Sequence, residues 1–182
     1  GGKELEAALL SQATCVTATG SDETLAAIRS RVPGGVPFIG YGHRVSFGYI
    51  SAELLSAFTL PKIVAKAADD ITAWDQLGCL SPHAIYVETG GAIAPERFAE
   101  LLAAELAKRE STHPRGEITF DEHANISRHR NFYQVRAKVS PETCLWQSKS
   151  STAWTIVFET DPEFRPSCLN RFADRKSTRL NS

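Results

Sequence analysis

One stretch near the middle of the chain constrains the fold most strongly, and it reads AADDITAWDQLGCLSPHAIYVE over residues 67–88. Asp69 and Asp70 are placed as at the start of a helix, where the helix dipole favours negative charge. Apolar side chains then recur at helical spacing and predict one buried face, made of Ile71, Trp74 and Leu77. Gly78 ends this helix, and the apolar run over 84–87 predicts a buried strand.

Cys79 lies at the junction between the predicted helix and the predicted strand. A loop that is held by an element on either side can expose a reactive side chain and aim it. A single cysteine without a pairing motif is, however, more typical of a small, inert, buried residue. The residues alone therefore leave two interpretations of Cys79, a nucleophile or a packing residue.

Composition narrows the class of protein. The chain has 182 residues, of which 42% are hydrophobic and 23% are charged, and this is typical of a soluble globular domain with a sizeable core. A formal net charge of −1 argues against nucleic acid as a partner, and no apolar run is long enough to span a membrane. The cysteines are scattered without a C-x-x-C pair, which favours a reduced, cytoplasmic protein without a metal site: Cys15, Cys79, Cys144 and Cys168.

The order of predicted elements indicates an α/β fold. The first part of the chain has the βαβ order of a parallel sheet: a strand over 15–18, a helix capped by Ser21 or Asp22, and strands over 36–39 and 45–50. Further helices are predicted over 4–11, 51–66, 95–108 and 117–139, and further strands over 144–147 and 153–159.

Two features could bind an anion. The turn Thr19-Gly20-Ser21 leads from a strand into a helix, whose free backbone N–H groups attract phosphate. Without a G-x-G-x-x-G pattern, such a capped turn is more often plain architecture. The His- and Arg-rich segment 117–139 could likewise hold a metal or a phosphate, but a solvated helix face is favoured there.

Four blocks of sequence, taken together and in order, resemble a known family. They are ATGSDETLAAIRSRVP, FIGYGHRVSFGYI, DQLGCLSPHAIYVE and STAWTIVFETDPEFRPSCLNR. They are similar to the acyl-CoA reductase family, which includes the long-chain fatty-acyl reductase of bacterial bioluminescence and belongs to the aldehyde dehydrogenase superfamily. The blocks span most of the chain, from Thr19 to Arg171.

The resemblance implies an aldehyde dehydrogenase-like α/β fold in two parts. Residues 1–50 would be the end of a Rossmann-type cofactor-binding domain, and 51–173 an α/β catalytic domain. Residues 174–182, within FADRKSTRLNS, are polar and lack strand alternation, so we expect a non-native tail there. The chain contains no methionine and is shorter than the family's proteins, which predicts a C-terminal fragment.

The resemblance also implies an activity, the NADPH-dependent reduction of a long-chain fatty acyl-CoA or acyl-protein thioester to the aldehyde. Cys79, in the G-C-L-S-P block, would be the nucleophile that carries the acyl group. The implied cofactor-binding residues are Thr19, Gly20, Ser21, Gly40 and Gly42. Gly40 and Gly42 stand where hydrolytic aldehyde dehydrogenases carry E-L-G-G-K, and the missing glutamate argues against hydrolysis of the acyl-enzyme to an acid.

Several alternatives remain open at this stage. His43 could act as an acid–base group or be structural, His43 and His83 are both candidates for activating Cys79, and Cys168 competes for the nucleophile role. The substrate could instead be a short-chain aldehyde in a CoA-acylating dehydrogenase. The fragment could also be a non-catalytic part of a fatty-acid reductase complex or a generic nucleotide-binding module. A homo-oligomer or a reductase complex is expected, and the residues that would distinguish NADPH from NADH are expected outside this sequence.

Overall fold

The computed structural model describes residues 2–42, 45–163 and 171–178, with the side chains of Lys3 and of 172–178 left undescribed. Strand pairing separates the chain into two compact units, Gly1–Arg44 and Val45–Ser182. The division falls earlier than the boundary expected at residue 50, because the strand over 46–50 pairs within the second unit.

The first unit is a βαβ arrangement preceded by a helix. Its elements are α1 (Gly2–Gln12), β1 (Val16–Thr19), α2 (Asp22–Arg29) and β2 (Phe38–Tyr41). β1 and β2 pair in parallel, with Val16 opposite Phe38 and Thr19 opposite Tyr41. Parallel neighbours need a crossover connection, and α2 lies in that connection. The βαβ order expected for this part of the chain is confirmed.

The second unit is built on a five-stranded sheet with the order β3-β4-β7-β6-β5. Its strands are β3 (Ser46–Ile50), β4 (Pro82–Glu88), β5 (Thr143–Gln147), β6 (Thr155–Glu159) and β7 (Phe172–Thr178). β5 runs antiparallel to β6, and the other neighbours are parallel. Every residue of β6 is buried, as expected for a parallel strand that is covered on both faces.

Helices cover both faces of this sheet. They are α3 (Leu60–Thr72), α4 (Pro95–Thr112) and α5 (Phe120–Val139). Successive side chains of a strand point to opposite faces, and in β6 Ile156 belongs to the main apolar cluster with α3 and α4. Val157 belongs to a smaller cluster with Ile126 and Tyr133 of α5. The predicted helices over 95–108 and 117–139 and the strands over 84–87, 144–147 and 153–159 are confirmed, with ends that differ by a few residues.

The helix before Cys79 differs from its prediction. α3 begins at Leu60 and ends at Thr72, so Asp69 and Asp70 lie in its last turn rather than its first. The predicted apolar face is confirmed at Ile71, which is buried, and is wrong at the other two residues, since Trp74 is 84% exposed and Leu77 is 69% exposed. The reason is that the chain leaves the helix at Ala73, and the 3.6-residue period no longer applies beyond it.

The single helix predicted over 51–66 is two elements. A short 3-10 helix (Ala52–Leu54) is followed by turns and then by α3, which carries Pro61 in its first turn. Proline is favoured at that position because its missing N–H has no acceptor there anyway. Leu55 is buried, whereas Phe58 is 94% exposed.

β7 also differs from the prediction for the end of the chain. We expected a non-native tail without a strand pattern from residue 174 onward, yet β7 extends to Thr178. It lies between β4 and β6 and pairs in parallel with both. Backbone groups of both neighbours fix its register, which the polar composition of the segment did not reveal. The non-native origin proposed for 174–182 stays a prediction.

Candidate active site

Cys79 lies in the short loop between α3 and β4, with its side chain exposed and its thiol free. The turn is closed by the Ser81 N–H, which donates to the carbonyl oxygen of Gly78 at 2.9 Å. The hydroxyl of Ser46, at the start of β3, donates to the carbonyl oxygen of Cys79 at 2.6 Å. The expected position of Cys79, exposed between a helix and a strand, is thus the observed one.

A β-bulge sits beside this loop. The register of β3 and β4 shifts between Ser46 and Phe47, which oppose Pro82 and Ala84 respectively. His83 is therefore the additional residue on β4. Bulges are common beside active sites because they redirect side chains. Here the irregularity accompanies the contact between Ser46 and the Cys79 loop.

The chain enters the loop through a left-handed turn. Trp74, Asp75 and Gln76 have φ angles of 53°, 52° and 66°, and none of them is a glycine. Each such residue costs about 1–2 kcal/mol relative to the right-handed conformation. Gln76 offsets part of that cost, because its buried Nε2 donates to the carbonyl oxygen of Pro82 at 2.7 Å, on the far side of Cys79.

An ion pair anchors the same turn. Asp75 Oδ1 lies 2.6 Å from Nη2 of Arg171, which is only 5% exposed. The other carboxylate oxygen of Asp75 accepts a hydrogen bond from the Gly116 N–H at 3.0 Å. Nη1 of Arg171 donates to the carbonyl oxygen of His113 at 3.0 Å. The turn is therefore tied to the start of β7 and to the connection between α4 and α5.

Three of the resembling blocks meet at one edge of the sheet. β3, β4 and β7 are parallel, so their amino-terminal ends lie together. Ser46 begins β3, Cys79 precedes β4 and Arg171 precedes β7. His43 and Cys168, the remaining candidates from these blocks, lie outside the described residues.

The predicted cofactor-binding residues come together in the first unit. Thr19 ends β1, Gly20 and Ser21 follow it, and the Gly20 N–H donates to the carbonyl oxygen of Tyr41 at 3.3 Å. Gly40 and Gly42 lie at the carboxyl end of β2, which is parallel to β1. Ligands of open parallel sheets commonly bind at such carboxyl ends.

The start of α2, beside these residues, is capped, closely packed against β2 and acidic. Ser21 caps α2, and its hydroxyl oxygen accepts from the Thr24 N–H at 3.2 Å. A Cβ on Gly42 would lie 2.4 Å from Oδ1 of Asp22, so glycine permits the close approach of α2 to the end of β2. Asp22 and Glu23 make the first turn of α2 acidic, which suits a ligand's hydroxyl groups better than its phosphates.

Comparison with protein families matches residues 1–178 to a family model described as acyl-CoA reductase (LuxC). The chain belongs to the acyl-CoA reductase family. The family resemblance drawn from the four blocks is thereby confirmed. A search of curated proteins found no significant match.

Solved structures similar to this acyl-CoA reductase family member are aldehyde dehydrogenases. Methylmalonate-semialdehyde dehydrogenase from Oceanimonas doudoroffii has a TM-score of 0.68 at 11% identity, over 100% of this chain and 40% of that one. Betaine aldehyde dehydrogenase from Staphylococcus aureus, solved with NAD+, has a TM-score of 0.66 at 12% identity, over 99% and 38%. An NAD-dependent benzaldehyde dehydrogenase from Corynebacterium glutamicum has a TM-score of 0.61 at 10% identity, over 98% of this chain and 40% of that one.

These likenesses establish the fold. The aldehyde dehydrogenase-like α/β fold expected from the resemblance is confirmed, and the chain spans about 40% of the length of these neighbours. In the described part of the chain, no helix is long and apolar enough to cross a membrane. The same residues contain no group of three or more His, Cys, Asp or Glu side chains arranged to hold a metal ion.

A second thiol in this family member has the opposite character to Cys79. Cys144 on β5 is half-buried, and its Sγ donates to Oε1 of Glu96 at 3.3 Å. Burial, and then the hydrogen bond and negative charge of Glu96, raise the pKa of Cys144 to about 11. Because the thiolate is the reactive form of cysteine, Cys144 is poorly suited to nucleophilic attack at neutral pH.

Sequence reasoning missed the residues that hold the Cys79 loop. Ser46, Asp75, Gln76 and Arg171 all stood within the resembling blocks, but no local pattern gave them a role. Their partners are distant in the chain, from Ser46 to Cys79 and from Asp75 to Arg171. One signal in the sequence could have pointed to two of them. Ser46 lies in the strand predicted over 45–50, and Arg171 ends the fourth block that resembles the family.

Proposed function

We propose that the full-length protein reduces a long-chain acyl-CoA or acyl-protein thioester to the aldehyde, with NADPH as reductant and Cys79 as nucleophile. The observation that carries the proposal is the exposed thiol of Cys79 on a loop held at both ends, beside residues from two other family blocks. Membership of the acyl-CoA reductase family supports the reaction class.

The proposed chemical step begins on the sulfur of Cys79. Its thiolate attacks the thioester carbon, the bond from that carbon to the donor sulfur breaks, and the donor leaves as a thiol after taking up a proton. The acyl group is then held on Sγ, which divides one difficult reaction into two easier ones.

The negative charge that develops on the acyl oxygen needs a hydrogen-bond donor. Among the described residues the backbone N–H of Cys79 forms no hydrogen bond, so it remains available to that oxygen. The hydrogen bond from Ser46 to the carbonyl oxygen of Cys79 keeps the adjoining peptide in one orientation.

The cofactor half-site proposed in the first unit consists of Thr19, Gly20, Ser21, Gly40 and Gly42. The acidic first turn of α2 fits the hydroxyl groups of the ribose beside the nicotinamide, since carboxylates accept hydrogen bonds and repel phosphate. When bound, the nicotinamide cofactor supplies the hydride that reduces the acyl carbon. The bond from that carbon to Sγ of Cys79 then breaks, which releases the aldehyde and returns the Cys79 thiolate. The choice of NADPH rests on the family resemblance, and the neighbours from S. aureus and C. glutamicum carry NAD in their descriptions.

The wider setting is proposed on the same basis. We expect a cytoplasmic enzyme that works as a homo-oligomer or within a fatty-acid reductase complex. Light scattering on the full-length protein, alone and with candidate partner subunits, measures this directly. A monomer that binds no partner would contradict it.

The test of the nucleophile is intact-mass spectrometry after incubation with palmitoyl-CoA. Wild-type protein is expected to gain one palmitoyl group, and Cys79→Ala is expected to gain none. Cys15→Ala is the matched control because Cys15 is also exposed. Cys168→Ala tests the competing cysteine, and an adduct lost only in that variant would overturn the assignment of Cys79.

A further inference from the structure

We propose that Asp75 and Arg171 form a positioning pair that sets the conformation of the Cys79 loop and thereby the rate of acyl transfer to Cys79. The inference rests on the proposed role of Cys79 as nucleophile. It adds two residues that act through the loop rather than on the substrate.

The first observation is that the backbone of the turn before Cys79 is strained. Trp74, Asp75 and Gln76 hold successive left-handed conformations that side-chain-bearing residues disfavour. Trp74 is 84% exposed, so its indole contributes little burial in return. Such strained segments persist only where surrounding contacts determine them, and they concentrate at functional sites.

The second observation is that the contacts of Asp75 supply this restraint. Its carboxylate is held on one side by Nη2 of Arg171 and on the other by the Gly116 N–H. Both carboxylate oxygens therefore have fixed partners. The contact with Arg171 is an ion pair whose arginine is buried, and salt screens such a pair much less than a pair at the surface.

Arg171 is itself a rigid partner. It is buried, has a left-handed φ of 48°, and its carbonyl oxygen accepts from the Thr155 N–H at 2.9 Å. Its second guanidinium nitrogen donates to His113. The arginine thus belongs to the sheet framework, and the aspartate belongs to the turn that leads to Cys79.

The charge of Asp75 also acts on a second arginine, Arg115. Arg115 is partly buried nearby, and burial together with the charge of Arg171 lowers the pKa of Arg115 while Asp75 opposes that shift. The carboxylate therefore compensates two guanidinium groups that repel each other. Removal of its charge should weaken the contact that holds Arg171 against the turn.

The geometry links this pair to the thiol by a short path. Asp75 is anchored to Arg171, and the next residue, Gln76, donates across the loop to Pro82. Cys79 lies between those two anchors, with Ser46 as its further contact. A change in the turn would re-aim the thiol, and a misplacement of about 1 Å can cost about 100-fold in rate.

The experiment compares two reactions of the same thiol in full-length protein. One is single-turnover acylation of Cys79 by palmitoyl-CoA, which requires an aligned substrate. The other is alkylation by iodoacetamide, a small reagent that approaches from many directions. For Asp75→Asn we expect acylation slower by about 100-fold and alkylation within about threefold of wild type.

The matched control is Asp69→Asn. Asp69 also pairs with an arginine, Arg109, but that pair joins α3 to α4 away from the loop. We expect acylation within about twofold of wild type in this variant. Arg171→Lys keeps the charge without the planar fork of the guanidinium, and its acylation should fall between wild type and Asp75→Asn.

The outcomes separate this inference from the proposed function. If wild type forms no adduct that Cys79→Ala removes, the function itself fails. If wild type is acylated and folded Asp75→Asn is acylated at the same rate, the positioning pair alone is overturned. Equal losses in acylation and alkylation would also overturn it, as would failure of both Asp75→Asn and Arg171→Lys to fold by circular dichroism.

Discussion

The thiols of Cys79 and Cys144 stand in opposite environments. Cys79 is exposed on a loop, and Cys144 is half-buried beside the carboxylate of Glu96. The raised pKa of Cys144, about 11, means that roughly 1% of it is thiolate at pH 9. Local environment, rather than residue type, thus separates a candidate nucleophile from a structural thiol.

Alkylation at different pH values tests this difference. We expect iodoacetamide to modify Cys79 at pH 8, whereas Cys144 should react substantially only as the pH approaches 11. Peptide mass spectrometry of each site gives the two rates. Glu96→Gln should accelerate Cys144 at pH 9, because the negative charge that opposes the thiolate is gone, although burial remains the larger cause. Equal rates for both cysteines at pH 8 would contradict the assignment.

Helix α5 is joined to the β5–β6 hairpin by one buried arginine. Arg130 donates to Thr155 Oγ1 at 2.8 Å, to Ser148 Oγ at 2.9 Å, and to two backbone carbonyl oxygens of the hairpin region. Burial, and then the charge of Arg115, lower the pKa of Arg130 to about 10, so it is still charged at neutral pH. Its partners are neutral acceptors, which would lose their donors together on substitution.

We therefore expect Arg130→Met to lower the free energy of unfolding by about 3 kcal/mol. Methionine retains much of the apolar stem and removes only the donors. Arg128→Met is the matched control on the same helix, since Arg128 is exposed and, within the described part of the chain, has its hydrogen bond to Asn125, three residues away. It should change stability by less than about 0.5 kcal/mol. Urea denaturation measures both, and similar values for the two variants would show that the buried contacts add little.

The two units of the chain differ in the size of their cores. Among the described residues of Gly1–Arg44, Leu10 is the one buried hydrophobic side chain, and α2 has none. The second unit contains the main apolar cluster and a mostly parallel sheet covered on both faces. Small cores give little resistance to local opening.

Amide hydrogen exchange should reflect that difference. We expect amides of β1 and β2 to exchange at least about 100-fold faster than those of β4 and β6, because opening of the first unit exposes little apolar surface. Exchange measured by mass spectrometry on the intact chain resolves these strands. Comparable protection in both sheets would mean that the first unit is stabilised by more than its own core.

The order and type of most elements were predictable from local pattern. Helix α4 begins with Pro95 and carries an apolar stripe, and β6 is a run of β-branched and aromatic residues, so both were anticipated. The predictions of secondary structure were wrong where contacts with distant residues, rather than the local sequence pattern, decide the conformation. Trp74 keeps helical spacing from Ile71 but follows the end of α3, and the polar β7 is a strand because β4 and β6 pair with it.

The candidate site divides in the same way. Cys79 and the cluster of Thr19 to Ser21 with Gly40 and Gly42 were named from motifs that are contiguous in the chain. The residues that hold the Cys79 loop were not named, because the contact between Asp75 and Arg171 joins positions that are far apart in the chain.

The amino-acid sequence by itself determined the family, the α/β class and the place of Cys79 between a helix and a strand, because each depends on neighbours within a few residues or on ordered motifs. The tertiary structure alone decided the strand order, the left-handed turn at Trp74–Gln76 and the ion pair that anchors it. Those features depend on contacts between residues far apart in the chain. Local propensity does not predict such contacts, because they stabilise the fold only after the sheet has brought the two partners together.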